Sequence, residues 1–156
     1  MNISVNVKVP NGITNIKRIL ETGLKSGIQK STAYISNQAV SNAPRITGNL
    51  KRSIHAEVSG LGGILTGKII QDSGISSYGS FVEFGTGIYG PKGQPIKPVN
   101  KKVLAWKQNG KTIFARSVKG MKPRYYMKRA FEESRDKVRD IIVNEIQLVI
   151  SKLGGD

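Results

Sequence analysis

Residues 125–153, YYMKRAFEESRDKVRDIIVNEIQLVISKL, carry the longest periodic pattern in the chain. Met127, Ala130, Phe131, Val138, Ile141, Ile142, Val149 and Leu153 recur at i, i+3 and i+4 with some drift, which puts one apolar stripe along a helix of about 125–153. Pro123 precedes the stretch and Gly154-Gly155 supply a stop, with Glu132 and Glu133 expected near the positive end of the helix. Such a stripe needs a second layer to bury it, and the rest of the chain supplies the candidates.

Upstream, Ile3, Val5, Val7 and Val9 alternate with Ser4, Asn6 and Lys8, the period-2 pattern of a half-buried strand over 3–9. Pro10-Asn11-Gly12 breaks the chain before a helix over about 14–43, with Thr14 or Asn15 as cap. Ile16, Leu20, Leu24 and Ile28 form its core row, which resumes at Ile35, Ala39 and Ala43 after a polar interval at Thr32. Gly23 and Gly27 weaken this helix by up to ~1 kcal/mol each relative to Ala, so packing must compensate. Pro44 ends it.

The middle of the chain, 52–118, reads as strands and one long loop. Ile54, Ala56 and Val58 alternate, Gly60-Leu61-Gly62-Gly63 turns, Ile64–Gln71 makes a second strand, and Tyr78–Phe84 is expected as a third. Val103–Trp106 and Thr112–Ala115 flank Asn109-Gly110, the favoured pair for a tight hairpin. Between them Gly85–Asn100 holds four glycines and three prolines, a loop of a length that is usually functional or flexible. The reading is an α+β fold in a single domain, 1–156: an antiparallel sheet with a long N-terminal and a long C-terminal helix packed on it.

Composition narrows the chemistry. At 156 residues, with 38% hydrophobic and 22% charged, the chain suits one folded core. Without cysteine it has no disulfide, thiolate-metal site or cysteine nucleophile, and His55 alone cannot build an imidazole metal cluster. No stretch approaches the roughly 20 apolar residues of a membrane-spanning helix. The start, Met1–Asn6, lacks the pattern of a signal peptide, so the protein is expected to stay in the compartment where it is made. The net charge is +15, and from Lys92 to Arg129 there are twelve basic residues and no acidic one. Such a segment suits DNA, a membrane surface or an acidic protein; the bland alternative is a solvated face that aids solubility.

Motifs that resemble catalytic chemistry do not hold together. Gly85-Thr86-Gly87-Ile88-Tyr89-Gly90 matches G-x-G-x-x-G, but Pro91, Gly93 and Pro95 follow where a dinucleotide site needs a helix. Glu57, Asp72 and Glu83 are scattered single acids, not a converging pair. On a strand Glu83 would project opposite Val82 and Phe84, which suits a structural ion pair or subunit contact better than a general base. Trp106 and Phe114 flank the hairpin turn as possible cross-strand neighbours. The alternative is an aromatic platform for bases among Lys101, Lys102, Lys107 and Arg116. Lys119–Arg124 reads either as a rigid basic lead-in to the last helix or as an ordinary capping loop.

Three blocks share one further pattern. Asn42–Ile54 (NAPRITGNLKRSI) resembles an A-P-x-x-T-G-x-L-x-x-S-I signature, in which Thr47 and Gly48 turn into a strand. Tyr78–Gly87 (YGSFVEFGTG) resembles Y-x-x-x-V-E-F-G-T. Phe114–Ala130 resembles a G-x-x-P-R-P-F-(M/L)-x-x-A lead-in to a helix, with Tyr125-Tyr126 where Pro-Phe is frequent. In this order, over about 33–131, they resemble the HK97 gp10-like phage tail-completion proteins. The resemblance implies a structural virion protein of the neck of long-tailed, double-stranded DNA phages, joining tail to filled capsid, with no enzymatic activity and no cofactor. It implies a ring of copies, hexameric or similar, made in the host cytoplasm and touching head-closure and tail-terminator proteins but no membrane. A tail terminator, a head-closure protein and a free basic nucleic-acid-binding protein are the alternatives. Glu83, Phe84, Gly85, Thr86, Tyr89, Lys92, Lys97, Lys101 and Lys102 are the expected interface with neighbouring subunits or partners. Lys107, Lys111, Arg116, Lys119, Lys122 and Arg124 are expected to face an acidic ring or, without base specificity, genomic DNA in a lumen.

Overall fold

Period-2 and period-3.6 patterning sort the chain much as they predict. The computed structural model describes residues 2–8, 14–45, 48–61 and 63–152. The expected Pro10-Asn11-Gly12 break, Val9, Thr47, Gly62, Leu153 and the Gly154-Gly155 stop lie outside them. The contacts gather into two units, one of Met1–Ser77 with Tyr126–Asp156 and one of Tyr78–Tyr125.

In the first unit, β1 (Asn2–Lys8), β2 (Ile54–Leu61) and β3 (Ile64–Gln71) form an antiparallel sheet in the order β1-β3-β2. The sheet has two unlike faces because successive side chains alternate across it. Gly67 and Ile69 of β3 are buried, and the side chains of Ile28 and Thr32 occupy the space a Cβ on Gly67 would need. The other face is polar: Glu57 stands opposite Lys68, and His55 Nε2 lies 3.6 Å from the Glu57 carboxylate.

Helix α1 (Thr14–Asn42) covers the apolar face. Its buried row is Ile28, Thr32, Ile35 and Ala39, with Ala43 just beyond the helix, so the expected polar interval at Thr32 is part of the core. The Thr32 hydroxyl donates to the Ile28 carbonyl at 2.6 Å, which removes the cost of burying it. The row fades upstream, where Leu20 and Leu24 are half-buried and Ile16 is exposed. A short α2 (Asn49–Arg52) follows, and its fully buried Leu50 anchors the approach to β2.

The C-terminal helix is two helices, α4 (Tyr126–Glu133) and α5 (Arg135–Ser151). The break falls at buried Ser134, whose N–H turns to the Phe131 carbonyl three residues back at 3.3 Å while its hydroxyl donates to the Ala130 carbonyl at 2.6 Å. Tyr125 is not helical, with φ of 50°. The break also moves Glu132 and Glu133 from the expected positive end to the last turn of α4. There Lys128 and Arg129, one turn earlier, offset them, and Asn42 of α1 donates to Glu133 at 3.0 Å.

Helix α5 packs along α1 where Gly23 and Gly27 let it approach. A Cβ on Gly27 would lie 3.1 Å from the Ile142 Cα, and one on Gly23 3.2 Å from the Glu145 carbonyl oxygen. The helix-weakening glycines therefore serve the contact that compensates them. A polar clip sits beside it. Lys30 Nζ and Ser26 Oγ donate to the two carboxylate oxygens of Glu145 at 2.5 and 2.6 Å. Those two hydrogen bonds, Lys30 first, hold the Glu145 carboxyl below its ordinary value of 4.5.

In the second unit, Tyr78–Phe84 departs from the expected strand: Gly79–Phe84 is a helix, α3. Adjacent Val82 and Glu83 are both buried while Phe81 and Phe84 are exposed, an i, i+3 arrangement that no strand alternation allows. A short apolar run does not by itself distinguish strand from helix. The expected hairpin is present, β4 (Leu104–Gln108) against β5 (Lys111–Ala115), with Asn109 and Gly110 at φ of 50° and 76° as a type I′ turn needs.

Candidate docking site

The second unit is organised by one short helix and the chain that returns to it. A six-residue helix leaves most of its carbonyls without internal partners. Residues of the returning segment take two of them: the Arg124 N–H donates to the Val82 carbonyl at 2.8 Å, and the Tyr125 N–H to that of Glu83 at 3.2 Å. Beyond the helix the pairing continues. Thr86 and Met121 bond reciprocally, the Thr86 N–H donating to the Met121 carbonyl and the Thr86 hydroxyl accepting from the Met121 N–H, both at 2.9 Å. The Ile88 N–H donates to the Lys119 carbonyl at 2.8 Å, and Ile96 and Val118 exchange bonds of 2.9 and 3.0 Å.

Gly87 and Gly120 face each other across this clamp at φ of 65° and 94°. A Cβ on Gly87 would run into the Lys119 carbonyl, and one on Gly120 into that of Thr86. The G-x-G-x-x-G spacing thus serves close backbone approach, and only a single 3-10 turn, Gly87–Tyr89, follows its first glycine. The long loop is consequently pinned along much of its length.

Behind the clamp lies a cavity of about 490 Å³, inside the range that binds ligands. Ser80, Phe81 and Phe84 of α3 form one wall, and Gly85–Gly87 and Gly90–Lys92 with Gln94–Ile96 form the rest. Phe81 and Phe84 are 56% and 42% exposed, far more than benzyl side chains in a core. Among the expected interface residues, the fold brings Phe84, Gly85, Thr86 and Lys92 together in this wall. Tyr89 lies beside it on the 3-10 turn, with Lys122 Nζ 5.7 Å from its ring centroid, a cation–π distance. Glu83 is turned inward and 1% exposed. Lys97 follows the Ile96 bridge, and Lys101 and Lys102 lie in the bend before β4.

Lys107 and Lys111 stand on the hairpin, and Arg116 follows it; Lys119, Lys122 and Arg124 lie on the returning segment. All ten basic side chains of this unit are exposed, and among the described residues none forms a salt bridge. Its one acid is the buried Glu83. The surface is therefore of one sign. Trp106 pairs with Ile113 and Phe114 with Ala105, so the two aromatics occupy opposite faces of the hairpin and are not cross-strand neighbours. That also removes the shared aromatic platform.

Sequence reasoning missed Ser80, Phe81, Gly90, Pro91, Gln94, Pro95 and Ile96 as wall residues. A helical reading of Tyr78–Phe84 would have placed Phe81 and Phe84 on one face. Nothing local marks the prolines. No group of three or more potential metal ligands occurs among the described residues.

The chain thus combines an α+β unit with a basic, acid-poor unit that carries an apolar cavity. Residues 8–85 match the family model described as "Bacteriophage HK97-gp10, putative tail-component". The chain belongs to this HK97-gp10-like family of phage tail components. The match takes in the A-P-x-x-T-G block and α3, and ends at Gly85 just as the cavity loop begins. Neither the curated proteins nor the solved structures give a match to the chain.

Proposed function

We propose that the chain is a structural, non-enzymatic protein of the phage neck that completes the tail and joins it to the DNA-filled capsid, assembling as a closed ring. Family membership as a tail component supports the virion role, and the third sequence block, leading into α4, supports the tail-completion reading. The observation that carries it is the 78–125 unit, which combines ten exposed bases with an apolar cavity that has Lys92 in its wall. In a closed ring each such surface is used once per copy, so modest contacts sum. The neighbours are copies of itself and the adjoining neck proteins, with assembly in the host cytoplasm.

Electron microscopy of particles made without the protein tests the role. Full heads beside complete, unjoined tails are expected; normally joined, infectious particles would overturn it. A tail terminator or head-closure protein of the same neck is the nearest alternative, and irregularly long tails or heads that leak DNA would favour those. The exposed lysines also support contact with genomic DNA in a ring lumen. That contact is expected to weaken steeply with added salt, as counterion release requires, and a salt-independent affinity would exclude it.

A further inference from the structure

We infer that the cavity of the 78–125 unit receives an apolar side chain carried on an acidic segment of a different virion protein. The inference rests on the docking role proposed above and names the chemistry of the partner. Phe81, Phe84, Pro91, Pro95 and Ile96 supply apolar wall, and about 490 Å³ leaves room for an aromatic or leucine side chain. Burial of such a group is the favourable event the pit offers, since a charged group there would lose its water. The backbone clamp forms the cavity without a ligand, so little ordering is left to oppose binding.

Charge decides what carries that side chain. Lys92 belongs to the wall, every other basic residue of the unit is exposed, and the unit's one carboxylate is buried. An acidic segment is drawn to this surface and a basic one repelled. A second copy of the chain does not fit that description. Glu132, Glu133 and Glu145 are paired with Lys128, Arg129 and Lys30, Glu57 stands opposite Lys68 in the sheet, and Asp72 accepts the Gly74 N–H at 2.7 Å. Glu21, Asp136 and Asp140 stand in sequence among Lys and Arg. Among the described residues the chain therefore presents no block of uncompensated acid. Duplex DNA satisfies the lysines but keeps its bases stacked, leaving the apolar pit empty.

Fluorescence anisotropy with three labelled probes tests this: an acidic peptide with one central Phe, the same peptide with Ala there, and a DNA duplex. The full chain is compared with Ser80→Trp, which fills the cavity from an exposed position, and Lys92→Glu, which reverses the charge in its wall. The Phe peptide should bind roughly tenfold or more tighter than the Ala peptide. Ser80→Trp should abolish that preference while leaving DNA affinity unchanged, and Lys92→Glu should weaken both peptides. Equal binding of the two peptides, no binding of either, or loss of DNA binding on filling the cavity would overturn the inference. Should Ser80→Trp fail to fold by circular dichroism, the Phe-over-Ala preference and Lys92→Glu decide alone. Failure of the wider role reads differently: particles lacking the protein would join normally, whatever the peptides do.

Discussion

The two units of this chain are held together by different physics. Among the described residues, ten of the eleven buried hydrophobic ones, from Ile28 to Ala130, belong to the unit of Met1–Ser77 and Tyr126–Asp156, whereas the 78–125 unit contributes only Val82. The first is ordered by side-chain burial between α1, α5 and the sheet. The second is ordered by backbone hydrogen bonds between α3, its loop and the returning segment, with glycines where the strands press together. The difference teaches where function sits. A unit that does not spend its aromatic side chains on a core has them available at its surface, and Phe81, Phe84, Trp106 and Phe114 are all exposed.

Substitutions can break or sharpen that contrast. The largest effect is expected from Leu50→Ala, which empties a site with no exposure in the first unit. It should lower the unfolding free energy by about 3–5 kcal/mol in a denaturant titration. A loss under about 1 kcal/mol would mean that burial does not dominate there. Next comes Gly87→Ala, which combines a left-handed φ with a collision against the Lys119 carbonyl. A cost of roughly 2–3 kcal/mol is expected, read as faster hydrogen exchange at the Ile88 and Met121 amides. Unchanged exchange would show that the clamp is not what orders the second unit.

A smaller, pH-dependent effect belongs to the clip between α1 and α5. The Glu145 carboxyl titrates lower when folded than its ordinary 4.5, because Lys30 and then Ser26 donate to its charged form. Its contribution is therefore complete above pH 4.5 and lost as pH falls through the folded value. Glu145→Gln should melt below wild type at neutral pH, and the gap should close on acidification. A gap that persists in acid would assign the loss to packing and not to charge. The smallest effect is Trp106→Ala on the open hairpin, expected within about 0.5 kcal/mol. A larger loss would reveal that the tryptophan is packed in solution.

Much of the first unit was legible because one face of each element is buried and the chain repeats that demand at a regular period. Strand Ile64–Gln71 and the helix ending near Pro44 follow from such rules; in the second unit the Asn109-Gly110 hairpin was legible for another reason, the backbone preference of its turn pair. The failures share a cause. Thr32 reads as polar until its hydroxyl is satisfied inside its own helix, and Ser134 reads as one more helical residue until its N–H turns to the Phe131 carbonyl. Residues 79–84 are too short for either period to speak.

Composition, patterning and motif order by themselves determined the α+β class, the one-signed basic segment and the family resemblance, because each depends only on residue type and spacing. The tertiary structure alone decided that Gly85–Ile88 lies against Lys119–Met121, that Glu83 turns inward while Phe81 and Phe84 turn out, and that a cavity opens behind them. Those features arise from hydrogen bonds between segments some thirty residues apart, Thr86 to Met121 among them, and no local period encodes such a pairing.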